Sequence, residues 1–200
     1  MIDNKCRCAW VTNELIYINY HDQEWGVPLY EDQKLFEFLI LDGMQAGLSW
    51  ITILKKRENY RGAFDGFDAE KMARYDQTKI DTLLANPGII RNKLKINAAI
   101  RNAQSYLNIQ QEWGSFAKYI WQFVEGRSLQ PRRASIRDIP TTTPQSDQMS
   151  KDLKQRGFGF VGSTICYAFM QAAGMVNDHT LDCFRYHEVL NYPEAHIILE

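Results

Sequence analysis

The sequence has few cysteines and no long run of apolar residues. Its four cysteines include no C-x-x-C pair, and its apolar runs are short and interrupted by acids such as Asp42. The first ten residues, MIDNKCRCAW, lack the apolar segment of a signal peptide. These absences argue against structural disulfides, a C-x-x-C metal hook and a membrane-spanning helix. We therefore expect a cytoplasmic protein with no membrane partner, in which the thiols are buried, metal-bound or reactive.

The chain also has almost no net charge, because 23 basic and 24 acidic side chains leave −1. The charges are nevertheless unevenly distributed. Residues 1–50 hold 3 basic and 8 acidic side chains, residues 51–156 hold 19 and 11, and residues 157–200 hold 1 and 5. The middle is therefore at +8 between ends at −5 and −4. Such a centre could contact nucleic-acid phosphates, and ordinary solvated helix faces would give the same count.

Apolar spacing is helical nearly throughout, with no internal repeat and no alternation typical of a strand. We predict an all-α fold, and 200 residues suffice for one domain with two small lobes. Helices are predicted to start at the caps Asp68, Asp76 and Ser146, and one further helix is predicted from Ile51 to Tyr60. The stretch EGRSLQPRRASIRDIPTTTP is predicted to be a long, basic, irregular connection.

The stretch LLANPGIIRNKLKI places a Pro-Gly dipeptide between two helical patterns and follows it with basic residues. It resembles a helix-hairpin-helix over about residues 78–107. In that motif, a glycine-containing turn leaves backbone N–H groups free to bind a DNA phosphate. A Pro-Gly dipeptide alone is weak evidence, because most are simple turns. The DNA contacts predicted for this hairpin are Gly88, Ile89, Ile90 and Arg91.

Several further motifs follow one another along the chain. They are CAWVTNELIYINYHDQEWGVP, LDGMQAGLSW, KKREN, GIIR, LKQRGFGFVGSTICYAFMQAAG and NDH. In this combination the chain resembles the 3-methyladenine DNA glycosylase I family of bacteria, from about Cys8 to Cys183. The resemblance implies a helix-hairpin-helix glycosylase fold, formed as one domain over residues 1–200 with two lobes around a central cleft. It also implies a bound zinc ion and hydrolysis of the N-glycosidic bond of 3-methyladenine in DNA.

A histidine and a cysteine are four residues apart in NDHTLDC, near the end of the sequence. Residues at i and i+4 can reach one tetrahedral ion, although a buried histidine and thiol would have the same spacing. The resemblance implies a zinc site that joins segments 8–21 and 179–183. Its implied ligands are Cys8, His21, His179 and Cys183. Four protein ligands leave no position for a reactive water, so the ion is expected to be structural.

The resemblance also implies a base pocket built from aromatic side chains and one carboxyl group. The implied pocket residues are Tyr17, Tyr20 and Trp50, with Trp25 as a further candidate. Trp10 and Trp25 could each belong to the pocket wall or to the core, and for Trp10 we favour the core. Asp42, in LDG, stands where the family has a glutamate in LEG, so the carboxylate is kept on a side chain one methylene shorter. We predict that Asp42 and Tyr20 are catalytic; the alternative is that Asp42 only caps or bridges helices.

Methylation at N3 makes adenine cationic and weakens its glycosidic bond, so its departure needs little acid catalysis. No acid occurs from Lys95 to Gln111, where many glycosylases of this fold carry an aspartate, so either the chain is not a glycosylase or its substrate leaves without that help. Each aromatic face attracts a cation by ~0.5–2 kcal/mol. A carboxylate about 4 Å away adds ~4 kcal/mol at an effective dielectric near 20, before desolvation. A pocket of this kind would therefore select the charged purine over neutral adenine.

The nucleotide must also be swung out of the duplex, at a cost of a few kcal/mol. The residues at family positions that press into the duplex are Gln45, Gly47 and Leu48, where an apolar side chain can fill the gap left by the base. A core position for Leu48 is the alternative.

The predicted function is therefore that of a monofunctional DNA glycosylase. It would act as a monomer on double-stranded DNA, hydrolyse 3-methyladenine from the flipped nucleotide and leave an abasic site. A lyase step would need an amine near the sugar carbon, and the resemblance gives Lys93 and Lys95 no such role. One alternative is a catalytically impaired, zinc-stapled helix-hairpin-helix DNA-binding module. Another is a zinc hydrolase with Asp42 as base, which the four-ligand count disfavours.

Overall fold

Eleven α-helices account for most of residues 4–192, the part of the chain that the computed structural model describes. The predicted domain also included residues 1–3 and 193–200, which lie outside it. The helices are α1 (Leu15–Gln23), α2 (Asp32–Gln45), α3 (Trp50–Leu54), α4 (Arg57–Ala63), α5 (Ala69–Met72), α6 (Gln77–Ala85), α7 (Lys93–Trp113), α8 (Phe116–Trp121), α9 (Pro144–Gln155), α10 (Ser163–Ala172) and α11 (Phe184–Leu190).

Extended structure within residues 4–192 is limited to two isolated parallel bridges, Leu129 with Val176 and Arg133 with Thr180. The predicted all-α class is confirmed. Of the helices in this part of the chain, none combines the length and the apolar character that crossing a membrane requires.

Helix α2 lies inside the protein, against α3, α7, α8 and α10. All residues from Leu35 to Met44 are buried, because this helix is apolar around most of its circumference rather than along one stripe. Asp32, in its first turn, accepts hydrogen bonds from the backbone N–H groups of Phe116 and Ala117 and fixes α2 against the start of α8. The burial of α2 also removes Asp42 from bulk water.

A short turn joins α6 to α7. Asp76 caps α6 by accepting a hydrogen bond from the N–H of Lys79, and Asn92 caps α7 by accepting from the second and third N–H groups of that helix. Helix α7 ends at Gly114, whose left-handed φ of 79° suits glycine. The predicted caps Asp68 and Asp76 are confirmed.

Two predicted helix boundaries are wrong. Helix α9 begins at Pro144 after the cap Thr143, and Ser146 is the third residue of a capping box rather than the cap. Proline is favoured at the first helical position because its N–H would have no partner there, so it starts this helix instead of preventing it. The single helix predicted after Ile51 is two helices, α3 and α4, which are separated at Lys56 (φ −101°, ψ 0°).

The predicted irregular connection runs beside the C-terminal segment. We call residues 127–140, which form the central part of this connection, the strap. The N–H of Leu129 donates to the carbonyl of Met175 (2.9 Å), and the N–H of Leu181 donates to the carbonyl of Arg133 (2.9 Å). The first half of the strap is therefore fixed to residues 175–181 by its backbone.

Candidate active site and metal centre

A cavity of about 240 Å³ lies between α1, α2, α10 and the strap. Aromatic rings form much of its wall, with few polar groups, as is typical of sites that take a small ligand. The cavity brings together six residues that the sequence had predicted for the base pocket or its rim, Tyr17, Tyr20, Trp25, Asp42, Gln45 and Trp50.

The aromatic wall is held by contacts between the rings themselves. The ring centroid of Trp10 is 5.0 Å from that of Tyr17 and 5.0 Å from that of Trp25, and Tyr20 is 5.3 Å from Trp50. Tilted and edge-on pairs at these distances are favourable. The rings therefore support one another and leave a cavity bounded by aromatic faces.

Asp42 contributes the carboxyl group of this cavity. The residue is 3% exposed, and its Oδ2 atom has no hydrogen-bond partner. Burial raises the pKa of Asp42 well above its usual range, and the positive charge of Arg57 acts in the opposite direction. With no hydrogen bond to another residue in 4–192, Asp42 neither caps nor bridges helices.

Two further buried polar atoms of the cavity are unpaired. The indole Nε1 atoms of Trp10 and Trp50 have no partner among the described residues. A buried polar group without a partner costs about 1–3 kcal/mol, and native proteins contain few of them. Their concentration around one cavity, together with the Asp42 carboxyl, indicates that a polar ligand completes this site.

A second cluster lies directly beside the cavity. Four buried residues place their ligand atoms within 4.8 Å of one another, and they are Cys8, His21, His179 and Cys183. The Sγ atom of Cys183 is 3.4 Å from His21 Nε2 and 3.6 Å from His179 Nδ1. This group, which joins the two ends of the described chain, could hold a metal ion.

The other nitrogen of each histidine is also bound. His21 Nδ1 is 2.7 Å from the carboxylate of Asp22, which Arg7 contacts in turn through Nε (2.8 Å) and a terminal nitrogen (2.6 Å). His179 Nε2 is 3.1 Å from the carbonyl oxygen of Trp25. Such contacts fix the tautomer and the ring orientation of a metal-binding histidine.

The ionisation of two members of the cluster also suits a metal, whereas hydrogen bonding to Cys183 and burial raise the pKa of Cys8. Burial lowers the pKa of His179, which favours the neutral imidazole that binds metals. The pKa of Cys183 is lowered by hydrogen bonds, first from Cys8 and then from His179 and His21, which favours the thiolate. Gly26 makes room for this arrangement, since a Cβ there would be 2.9 Å from His179 Nε2 and its φ is +79°.

Similarity to known proteins identifies the family to which this chain belongs. A sequence model described as methyladenine glycosylase matches residues 10–186. DNA-3-methyladenine glycosylase 1 of Escherichia coli K12 is 50% identical over 180 residues, which cover 90% of this chain and 96% of that protein. The chain belongs to the methyladenine glycosylase family.

Solved structures agree with this family membership. A crystal structure of 3-methyladenine DNA glycosylase I has a TM-score of 0.88 at 53% identity, covering 90% of this chain and 98% of the other. A structure of 3-methyladenine DNA glycosylase I from Staphylococcus aureus, solved to explain how it recognises 3-methyladenine, has a TM-score of 0.88 at 40% identity. The match covers 94% of this chain and 97% of the other. The predicted family and the predicted fold are confirmed.

Sequence reasoning missed part of the pocket of this methyladenine glycosylase family member. The residues missed are Ile136, Ile139, Ala168 and Gln171. Trp10, for which a core position was favoured over the pocket wall, is half-buried, packs against the core and lines the cavity. One pattern in the sequence could have indicated these residues. It is an i, i+3 spacing, which places Ala168 and Gln171 on one face of α10 and gives Ile136 and Ile139 the same separation on the strap.

The residues predicted to contact DNA differ in exposure. Leu48 is 37% exposed, in the turn between α2 and α3, so it is not a core residue. Gln45 supports this turn by donating to the carbonyl of Leu48 (2.6 Å). In the hairpin, Arg91 is exposed, whereas Ile89 is 3% exposed and packs in the core. Ile89 could therefore contact DNA only through its backbone.

Proposed function

We propose that this chain is a monofunctional DNA glycosylase that removes 3-methyladenine from alkylated double-stranded DNA. Family membership supports the reaction, since the E. coli relative is named for it. The substrate is supported by the S. aureus relative, whose structure describes 3-methyladenine recognition. In bacterial relatives the chromosome lies in the cytoplasm, which is the compartment that this proposal assigns to the protein.

The unpaired carboxyl of Asp42 in an aromatic cavity is the observation that carries the proposal. Because its pKa is raised by burial, the empty site favours a neutral carboxyl. A nearby positive charge favours the ionised form. The cationic base would therefore bind together with loss of the Asp42 proton, and neutral adenine would not induce this ionisation.

The reaction then follows from the chemistry of the base. Asp42 and the faces of Tyr20 and Trp50 stabilise the positively charged purine as it enters the cavity. The bond between C1′ and the base breaks, its electron pair neutralises the purine, and water adds its oxygen to C1′ and releases one proton to solvent. Tyr17 and Trp25 complete the aromatic wall and exclude water from the base.

Two elements are proposed to hold the duplex. The backbone N–H groups of Arg91 and Lys93 have no hydrogen-bond partner within residues 4–192, so they can donate hydrogen bonds to a phosphate. The N–H of Ile90 is already bound to the hydroxyl of Tyr60 (3.1 Å), and that of Gly88 to Asn86. We infer that the hairpin binds phosphate through the N–H groups of Arg91 and Lys93, which follow Gly88 in the sequence. The turn with Gly47 and Leu48 is inferred to fill the gap left by the flipped base. The cleft between these elements would separate the two lobes of one domain.

The ion of the metal centre is proposed to be zinc. With Zn–S near 2.3 Å and Zn–N near 2.05 Å, a tetrahedral ion separates sulfur from nitrogen by about 3.6 Å. Three of the four sulfur–nitrogen distances are 3.5, 3.4 and 3.6 Å. With two cysteines and two histidines, the site would be closed to water, so the ion supplies stability and no chemistry to the reaction.

A lyase step finds no support in the cavity. Among the described residues that line it, none is a lysine. The Nζ atom of Lys95 donates to the carbonyls of Met44 (2.8 Å) and Ala46 (2.7 Å), where it stabilises the end of α2. The same closed metal site argues against a zinc hydrolase. A single chain supplies the whole pocket and the metal ligands, in keeping with a monomer.

Incubation with duplex DNA that has been treated with a methylating agent tests the proposal. The purines released are separated by chromatography. The proposal expects free 3-methyladenine, an abasic site and no strand cleavage. DNA binding without any base release would instead support the impaired binding module, and strand cleavage would refute the monofunctional mechanism.

A further inference from the structure

The strap contributes to the pocket although it lies far from the aromatic motifs in sequence. Ile136 and Ile139 line the cavity, and Ile136 is 44% exposed. A short 3-10 turn, Ile136–Asp138, presents this isoleucine at the cavity. The strap therefore forms a solvent-exposed part of the pocket wall.

The strap is also strongly basic, with four arginines and one acid. That acid is already engaged, because the Asp138 carboxylate accepts hydrogen bonds from the N–H (2.8 Å) and the hydroxyl (3.3 Å) of Ser135. Arg127, Arg132 and Arg137 are exposed and have no ion pair or hydrogen bond with any residue in 4–192. The segment that contributes Ile136 and Ile139 to the cavity wall thus also carries three exposed positive charges without a partner in residues 4–192.

The fourth arginine anchors the strap. Arg133 Nε donates to the fully buried carboxylate of Asp178 (3.0 Å), which also accepts hydrogen bonds from Tyr167 and from Gln171 (2.8 Å). Backbone hydrogen bonds to residues 175–181 hold the strap further. A segment held in this way loses little conformational freedom when a partner binds.

We propose that the strap is a second DNA-binding element, in which Arg132 and Arg137 contact phosphates next to the flipped nucleotide and Ile136 packs against its sugar. The proposal rests on the proposed function, because it takes the duplex as the partner. Charge complementarity identifies that partner, since a row of unpaired arginines beside a base pocket matches the phosphates that flank the base. These contacts position the DNA and do not depend on its sequence.

The salt dependence of DNA binding tests the two arginines. The double variant Arg132→Ala/Arg137→Ala is compared with the unaltered protein on a duplex that contains a stable abasic-site analogue, from about 50 to 200 mM KCl. Each lost phosphate contact lowers the slope of log K against log[salt] by about 0.9. We expect the slope of the double variant to fall by about 2.

Arg74→Ala is the matched control. It removes one exposed arginine just after α5. This arginine lies next to Ala73, whose carbonyl accepts a hydrogen bond from Gln104 of α7. This control should keep the original slope. A double variant whose slope equals that of the control overturns the phosphate contacts.

Ile136 has a separate readout. Ile136→Ser is expected to lower kcat/KM for base release from DNA about tenfold, to lower the affinity for free 3-methyladenine by a clearly smaller factor because Ile136 also lines the cavity, and to be rescued by Ile136→Val. An equal loss of affinity for the free base would limit Ile136 to its role in the pocket wall and overturn its contact with the sugar. If the unaltered protein releases no base but the salt slopes differ as expected, the proposed function fails and the strap remains a DNA-binding element.

Discussion

The metal centre and the base pocket are neighbours with opposite hydrogen-bonding states. In the metal centre, both ring nitrogens of His21 and of His179 have partners. In the pocket, polar atoms of Trp10, Asp42 and Trp50 are buried and have none. The two sites meet at Trp25, whose ring lines the pocket and whose carbonyl oxygen contacts His179.

This contrast distinguishes a site that stabilises the fold from one that binds a ligand. Fully paired polar groups make a rigid cluster, whereas unpaired ones lower stability until a ligand supplies the missing partners. The metal centre is therefore expected to determine folding, and the pocket is expected to determine which base is bound.

Loss of a metal ligand should have the largest effect. Cys183→Ala leaves three ligands, and structural zinc contributes ~10 kcal/mol or more in small zinc domains, comparable with the whole stability of a typical protein. We expect little folded protein at 37 °C, measured by circular dichroism. Cys166→Ala, which truncates a buried thiol outside the cluster, should remain folded. Equal thermal stability of the two variants would contradict the role of the metal.

A smaller effect is expected from the contact behind His21. Asp22→Asn removes the carboxylate charge that orients this ring, and changes of this kind cost 10–100-fold in metal affinity. Competition with a chromophoric chelator measures that affinity without reference to activity. Glu188→Gln, which weakens the surface pair of Glu188 with Arg185, is the control and should retain the original affinity. An unchanged affinity in Asp22→Asn would contradict the assignment.

In the pocket, removing the charge should stabilise the protein. Because the pKa of Asp42 is raised in the folded state, the folded protein keeps its proton while the unfolded chain loses it, and the free energy of unfolding falls as pH rises. Asn cannot ionise. We expect Asp42→Asn to gain about 1 kcal/mol, or about 2–4 °C in Tm, with a larger gain at pH 8 than at pH 4.

Differential scanning calorimetry at the two pH values measures this gain. Glu70→Gln, which neutralises an exposed carboxyl on α5, controls for the loss of one negative charge. If Asp42→Asn were destabilised at pH 8, the carboxylate would be stabilising the empty pocket, contrary to the expectation.

The helical class and several caps could be predicted from sequence, because they depend on local patterns. Asp68 and Asp76 accept hydrogen bonds three residues ahead, which a short window contains. The start of α9 could not be read correctly, since a proline can break a helix or begin one and only its neighbours decide. The His179–Cys183 spacing was ambiguous until the family resemblance connected it with the N-terminal segment.

The remainder of the pocket depended on contacts between distant segments. Ile136 and Ile139 belong to an irregular connection. Their i, i+3 spacing indicates a shared face, but it does not indicate that this face lies beside Trp10 and Trp50. The burial of Asp42, which changes its ionisation, likewise results from the packing of other helices around α2. The family resemblance suggested a charged carboxylate, and only the fold shows the burial that raises the pKa of Asp42.

The pH dependence of base release tests the central claim most directly. Single-turnover release of 3-methyladenine from methylated duplex is measured across pH for the unaltered protein and for Asp42→Asn. If the ionised Asp42 stabilises the cationic purine, the rate of the unaltered protein rises as pH increases through the raised pKa of this carboxyl, and Asp42→Asn is slower and lacks that limb. An Asp42→Asn variant with the same rate and the same pH profile would contradict the account.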